Sequence, residues 1–186
     1  MSEQLWAPWR LGYVSGATQP PPLPERDKKW LPGADQNCFV CKAVAESLGE
    51  QSAEANRDNY LAYRGQDVVV ILNRFPYNNG HLLVSPTRHL AGLPDITDDV
   101  QLEMLQTITR LTTILEKRIN AGGFNIGLNL GRVAGAGVPG HLHWHIVPRW
   151  NGDTNFMPVT ANVNVLPQSL ISLWEMLVEE VTQARV

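Results

Sequence analysis

The chain has 186 residues, 44% of them apolar, with 15 Lys and Arg against 18 Asp and Glu for a formal charge of −3. That length suits one domain with a sizeable core, and the charge offers no basic face of the kind duplex nucleic acid requires, so no nucleic-acid partner is expected. No apolar run approaches the roughly 18 residues of a membrane span, and Met1-Ser2-Glu3-Gln4 lacks the basic start and apolar stretch of a secretory signal; a cytoplasmic protein without a membrane partner is the expectation.

Residues 1–36 set Trp6, Trp9 and Trp30 among Pro8, Pro20, Pro21, Pro22, Pro24 and Pro32, an arm with little regular structure. Exposed tryptophans are costly in a free tail, so Trp6 and Trp9 are expected to pack against the body or a second subunit; for residues 15–35 an ordinary loose terminus is the alternative. Residues 37–186 form the single domain. It opens with Cys38 and Cys41, the only two cysteines, whose spacing in a reducing compartment suggests a metal or redox site rather than a structural disulfide.

Lys42 to Leu48 is a short helix candidate. Val68 to Leu72 and Leu82 to Val84 are strand-like runs joined through Pro76 and the turn signal Asn78-Asn79-Gly80, which makes a hairpin. The clearest helix follows: Met104, Leu105, Ile108, Leu111, Leu115 and Ile119 recur at three- and four-residue steps behind Thr97, Asp98 and Asp99, which supply a cap and favourable first-turn charge. Ala121-Gly122-Gly123 ends it. Phe124 to Gly131 reads as a strand, and Pro167 to about Ala184 as a last helix presenting Leu170, Trp174, Leu177 and Val181. The order predicts an α+β fold with a mainly antiparallel sheet, a long central helix and a carboxy-terminal helix.

The run His141-Leu142-His143-Trp144-His145-Ile146 holds three of the five histidines. At period 2 on a strand the histidines share one face, while Leu142, Trp144 and Ile146 point into a core. A strand rises about 3.3 Å per residue, so the backbones of His141 and His145 stand roughly 13 Å apart. One metal cannot comfortably take all three; an end histidine on a metal and a reactive middle one divide the labour better. A surface strand, or a tract that binds metal incidentally, is the plainer alternative.

Cys38 and Cys41 are half of a tetrahedral zinc site, and His89 and His141 are the best candidates to complete it. Four protein ligands leave zinc no open position, so its role there is structural. A redox pair and two inert buried cysteines are the competing readings. The loop Gly131 to Gly137 is small and glycine-rich, a backbone cradle for phosphate oxygens beside the histidines. With no G-x-x-x-x-G-K-[ST], a P-loop is excluded.

These residues resemble the histidine triad (HIT) family of nucleotide hydrolases and transferases. The likeness rests on His141 to Val147, on Asn73-Arg74-Phe75-Pro76 through Gly80-His81-Leu82-Leu83-Val84-Ser85-Pro86, on His89 and on Cys38 with Cys41. Within the family the chain is most similar to the diadenosine tetraphosphate phosphorylase or hydrolase-like group, through Leu5-Trp6-Ala7-Pro8-Trp9-Arg10, Gly123-Phe124-Asn125 to Asn129, and Pro148-Arg149-Trp150 to Asp153-Thr154-Asn155-Phe156.

The resemblance implies a HIT-like fold, a homodimer and cleavage of dinucleoside polyphosphates. His143 would be the nucleophile, forming a covalent nucleotidyl-histidine with water or inorganic phosphate as second acceptor. His145 would donate to the phosphoryl or bridging oxygens, and His81 would stand beside the nucleophile. Asn73 would bind ribose hydroxyls, Asn129 phosphate or the leaving group, and Gly137 the phosphates through the loop amides. Cys38, Cys41, His89 and His141 would be zinc ligands. Many relatives carry Gln or Ser shortly before the triad where this chain has Gly137-Val138-Pro139-Gly140, which leaves the choice between water and phosphate open. A nucleoside phosphoramidase and a zinc-stabilised nucleotide-binding module without turnover are the other readings.

Overall fold

The computed structural model describes residues 25–154 and 166–183. Helices α1 (Phe39–Ser47) and α2 (Ser52–Asp58) precede strands β1 (Leu61–Arg64), β2 (Val68–Leu72) and β3 (Leu82–Pro86); the long helix α3 (Asp98–Ile119), strands β4 (Gly123–Leu128) and β5 (Trp144–Arg149), and helix α4 (Leu170–Gln183) complete the order. The five strands form one antiparallel sheet in the order β1-β2-β3-β5-β4. This is the α+β arrangement expected from the sequence. No helix among the described residues is long and apolar enough to cross a membrane.

Strand β2 reads Val-Val-Val-Ile-Leu because both of its faces are covered. Val68, Val70 and Leu72 join Leu82, Val84 and Ile146 in a core closed by Met104, Leu111 and Leu115 of α3 and by Leu173 and Leu177 of α4. Val69 and Ile71 point the other way, into a smaller cluster with Cys38, Val40, Cys41 and Val44 at α1. Helix α1 therefore covers only the β1–β2 side of that second face.

Beyond the expected hairpin, Val68 pairs with Pro86 and Leu72 with Leu82. Its turn needs glycine at position 80: φ is +76°, and a Cβ would stand 3.0 Å from Ile119 Cδ1 and Pro148 Cγ. Helix α3 ends one residue earlier than the glycines suggest, at Asn120 with φ +52°, a left-handed conformation that asparagine tolerates better than most residues. Its buried stripe is Met104, Thr107, Ile108, Leu111, Ile114 and Leu115. Leu105, expected inside, is 51% exposed, because it lies a full residue step off that stripe. On α4, Leu173 is buried along with the expected Leu177 and Val181, and Trp174 anchors the helix by donating its indole N–H to the carbonyl of Leu61 at 2.9 Å.

Of the amino-terminal arm, residues 25–36 are described, and Trp6 and Trp9 lie outside the described residues. The chain there is tied down by the Lys29 amide, bonded to the Ala45 carbonyl, and by an ion pair of Arg26 with Asp58 at 2.5 Å.

Candidate active site and metal centre

The ladder of β5 begins at Trp144, so His141, Leu142 and His143 lie in the approach to the strand rather than in it. Other groups hold them there. The Leu142 amide donates to the Leu90 carbonyl at 2.7 Å, and the buried Ser85 hydroxyl donates to the Leu142 carbonyl at 2.7 Å. The alternation persists: Leu142 and Ile146 are buried in the main core, with Trp144 partly buried against it, and the three histidines face away from it.

His141 is fully buried and uses its ring in two directions. Its Nε2 lies 2.9 Å from the carbonyl oxygen of Pro86. A carbonyl only accepts, so Nε2 carries the proton and Nδ1 presents its lone pair to the sulfurs of Cys38 at 3.3 Å and Cys41 at 3.4 Å. His89 Nδ1 lies 3.3 Å from the Cys41 sulfur, and the four donor atoms all fall within 4.8 Å of one another. Zinc bonds of about 2.3 Å to sulfur and 2.0–2.1 Å to nitrogen set tetrahedral edges of roughly 3.5 Å, so this donor set fits that ion. An imidazole whose second nitrogen donates to a backbone carbonyl is the usual support of a metal ligand. Burial pushes the Cys38 thiol up to about 12 and the His141 imidazole down to about 4; a bound cation reverses the first tendency by favouring thiolate.

His143 is 8% exposed, and its Nδ1 stands 2.7 Å from the carbonyl oxygen of His141. The same argument puts the proton on Nδ1 and leaves the lone pair on Nε2. Burial lowers its basicity, which keeps the ring neutral.

A second chain of rings lies alongside. The backbone N–H of Tyr77 donates to Nδ1 of His81 at 3.0 Å, which places the proton of a neutral His81 on Nε2. That atom is 2.9 Å from Nδ1 of His145, so His145 accepts there and carries its own proton on Nε2. The rings of His143 and His145 meet edge to face with centroids 5.0 Å apart. Asn129 reaches within 3.5 Å of His145 Nε2 through its amide, and a half-turn of that amide presents an acceptor to the proton. Asn73 lies 3.3 Å from His81 Nδ1 and 3.4 Å from its Nε2, while its Oδ1 accepts from the Phe75 amide.

The fold thus gathers Cys38, Cys41, His89 and His141 into one cluster and His81, His143, His145, Asn73 and Asn129 into another. Gly137 stands apart, in the exposed loop between β4 and His141. Sequence reasoning missed Tyr77, whose ring stacks on His145 with centroids 5.9 Å apart and tilts over His81 at 4.6 Å. It also gave Ser85 no role. Tyr77 sits four residues before His81, but only the turn geometry brings its ring back over the site.

Three histidines that alternate through the approach to β5 and into it, beside one antiparallel sheet, mark a histidine triad protein. Residues 54–152 match the HIT domain model, just over half of the chain, and the chain belongs to that family. It is 33% identical over 168 residues to the AP-4-A phosphorylase of Mycobacterium tuberculosis (strain ATCC 25618 / H37Rv), which covers 90% of this chain and 78% of that protein. A hypothetical histidine triad nucleotide-binding protein from Sulfolobus tokodaii shares the fold with TM-score 0.61 at 23% identity, over 80% of this chain and 94% of that one. So does a Zn-bound histidine triad family protein from Mycobacterium smegmatis, with TM-score 0.55 at 24% identity over 68% and 86% of the two chains.

Proposed function

We propose that this protein cleaves dinucleoside polyphosphates of the diadenosine tetraphosphate type through a covalent nucleotidyl-His143 intermediate. The observation that carries the reading is the hydrogen bond from His143 Nδ1 to the His141 carbonyl, which aims a neutral Nε2 lone pair away from the backbone. In the first step Nε2 attacks the α-phosphorus; a P–N bond forms and the P–O bond to the leaving polyphosphate breaks. His145 Nε2–H donates to the phosphoryl or bridging oxygens where charge develops. Water or inorganic phosphate then attacks the phosphorus and the P–N electrons return to His143. Asn73 binds the ribose hydroxyls, and Asn129 with the loop amides around Gly137 contacts the phosphates. The likeness to a protein named AP-4-A phosphorylase supports this substrate class.

Cys38, Cys41, His89 and His141 would hold one zinc ion, and the fit of the donor set supports that assignment. Bound there, zinc would supply a structural cross-link between α1, the exit of β3 and the triad. The reading includes a homodimer, supported by the exposed Ile126 on edge strand β4 and by Leu102 and Leu105 on α3. Incubation with diadenosine tetraphosphate, with and without inorganic phosphate, tests the activity. ADP with ATP identifies phosphorolysis and AMP with ATP asymmetric hydrolysis; intact substrate after long incubation overturns the proposal.

A further inference from the structure

Gly127 lies in the middle of β4, directly opposite His145 of β5. Residues opposite one another in an antiparallel pair project from the same face, so a side chain at 127 would point to the side that carries the histidines. A glycine inside a strand weakens it, and three structural causes ordinarily account for one: a bulge, a left-handed backbone, or a close neighbour in the protein. None applies here. Pairing of β4 with β5 runs in unbroken register from Gly123 to Leu128. Gly127 is not among the residues with positive φ. A Cβ built on it meets no atom within 4 Å, in contrast to Gly80, where φ is +76° and two side chains stand at 3.0 Å.

The fold leaves this position open, and the opening lies between His145 and the residue after β4, Asn129, whose amide also reaches His145 Nε2. We infer that Gly127 is the floor of the substrate channel, where the leaving polyphosphate crosses the sheet beside His145. This rests on the proposed cleavage of dinucleoside polyphosphates and adds a residue that fixes what can leave. Attack by His143 Nε2 requires the leaving oxygen in line on the far side of phosphorus. The phosphates beyond it then run over β4 next to the ring that donates to them. A methyl or isopropyl group at 127 would stand in that path.

The test is Gly127→Ala and Gly127→Val, with Gly123→Ala as a control, since a Cβ at 123 in the same strand also meets nothing within 4 Å. Each is assayed on diadenosine tetraphosphate and on adenosine 5′-phosphoramidate, whose leaving group carries no phosphate. Activity on the tetraphosphate should fall by about tenfold for alanine and on the order of a hundredfold for valine, with the phosphoramidate changed by less than about threefold. The melting temperature of Gly127→Ala should equal or exceed that of the wild type, because alanine suits an open strand position better than glycine. Gly123→Ala should resemble the wild type in both assays.

Equal losses on both substrates, the same loss in Gly123→Ala, or unaltered kinetics in Gly127→Val would each overturn the inference. A changed oligomeric mass with unchanged kinetics would place a second copy of the chain against Gly127 and overturn it as well. Wild-type protein inert towards the tetraphosphate would remove the functional proposal itself, an outcome separate from wild-type turnover with indifferent variants.

Discussion

The carbonyl oxygen of His141 accepts the Nδ1 proton of His143 at 2.7 Å, while the His141 ring points Nδ1 at the sulfurs of Cys38 and Cys41. A residue of the Cys2His2 cluster thereby sets, through its own backbone, the tautomer of the ring proposed as nucleophile.

From that link, damage to the cluster should reach the chemistry. Cys38→Ser replaces a proposed thiolate ligand by a poorly ligating hydroxyl, so zinc content measured by elemental analysis should fall below one per chain. Activity should drop with it, by roughly tenfold or more, the scale on which loss of support around a metal ligand is felt. Metal-free wild type of undiminished activity and thermal stability would disprove the coupling.

His143→Ala should abolish turnover, with kcat down by about 10⁶-fold as for removal of a nucleophile, while nucleotide affinity by calorimetry stays within a few-fold of the wild-type value. Rapid acid-free quenching of the wild type should trap labelled nucleotide on the protein, and His143→Ala should trap none. Turnover by the variant close to the wild-type rate would exclude the covalent route.

The strongest periodicities were legible in the sequence. The three- and four-residue steps of α3 mark its ends to within a residue or two, and Asn78-Asn79-Gly80 marks the hairpin, because each signal is local and covers many residues. Strand β1 and helix α2 escaped notice: the stretch from Ser52 to Arg64 is short and polar, and Ala55, Leu61 and Ala62 are its only buried residues. Their place is set by partners far along the chain, as Trp174 shows by bonding Leu61. Strand rise and the cysteine spacing pointed to a division of labour among the histidines, while the role expected of each came from the family resemblance. The proton positions did not, since they depend on the carbonyls of Pro86 and His141 and on the Tyr77 amide, which no side-chain pattern displays.

His81 should matter through His145 rather than through substrate affinity. The Nε2–H of His81, set by the Tyr77 amide, donates to Nδ1 of His145 and so favours the His145 proton on Nε2. His81→Ala should lower kcat by about 10²-fold with little change in KM, in the range for a positioned proton donor. His81→Gln, which keeps an N–H donor, should recover part of that loss. A change confined to KM would instead assign His81 to binding.

Asp153 links the end of β5 to the hairpin turn. Its carboxylate takes two hydrogen bonds from Arg149, at 2.6 and 2.8 Å, and one from Asn78 at 2.9 Å. The Arg149 bonds lead in holding its pKa down, to about 2 from an ordinary 3.8. A carboxyl depressed in the folded state stabilises it fully above the unfolded value, and that contribution is lost as pH falls through the folded one. Asp153→Asn keeps the shape but removes the charge. Its melting temperature should therefore lie below that of the wild type by a constant amount from pH 8 to about pH 5, and the gap should narrow between about pH 4 and pH 2 as the wild-type carboxyl takes up its proton. A gap that persists unchanged to pH 2 would assign the effect to hydrogen-bond geometry rather than to charge.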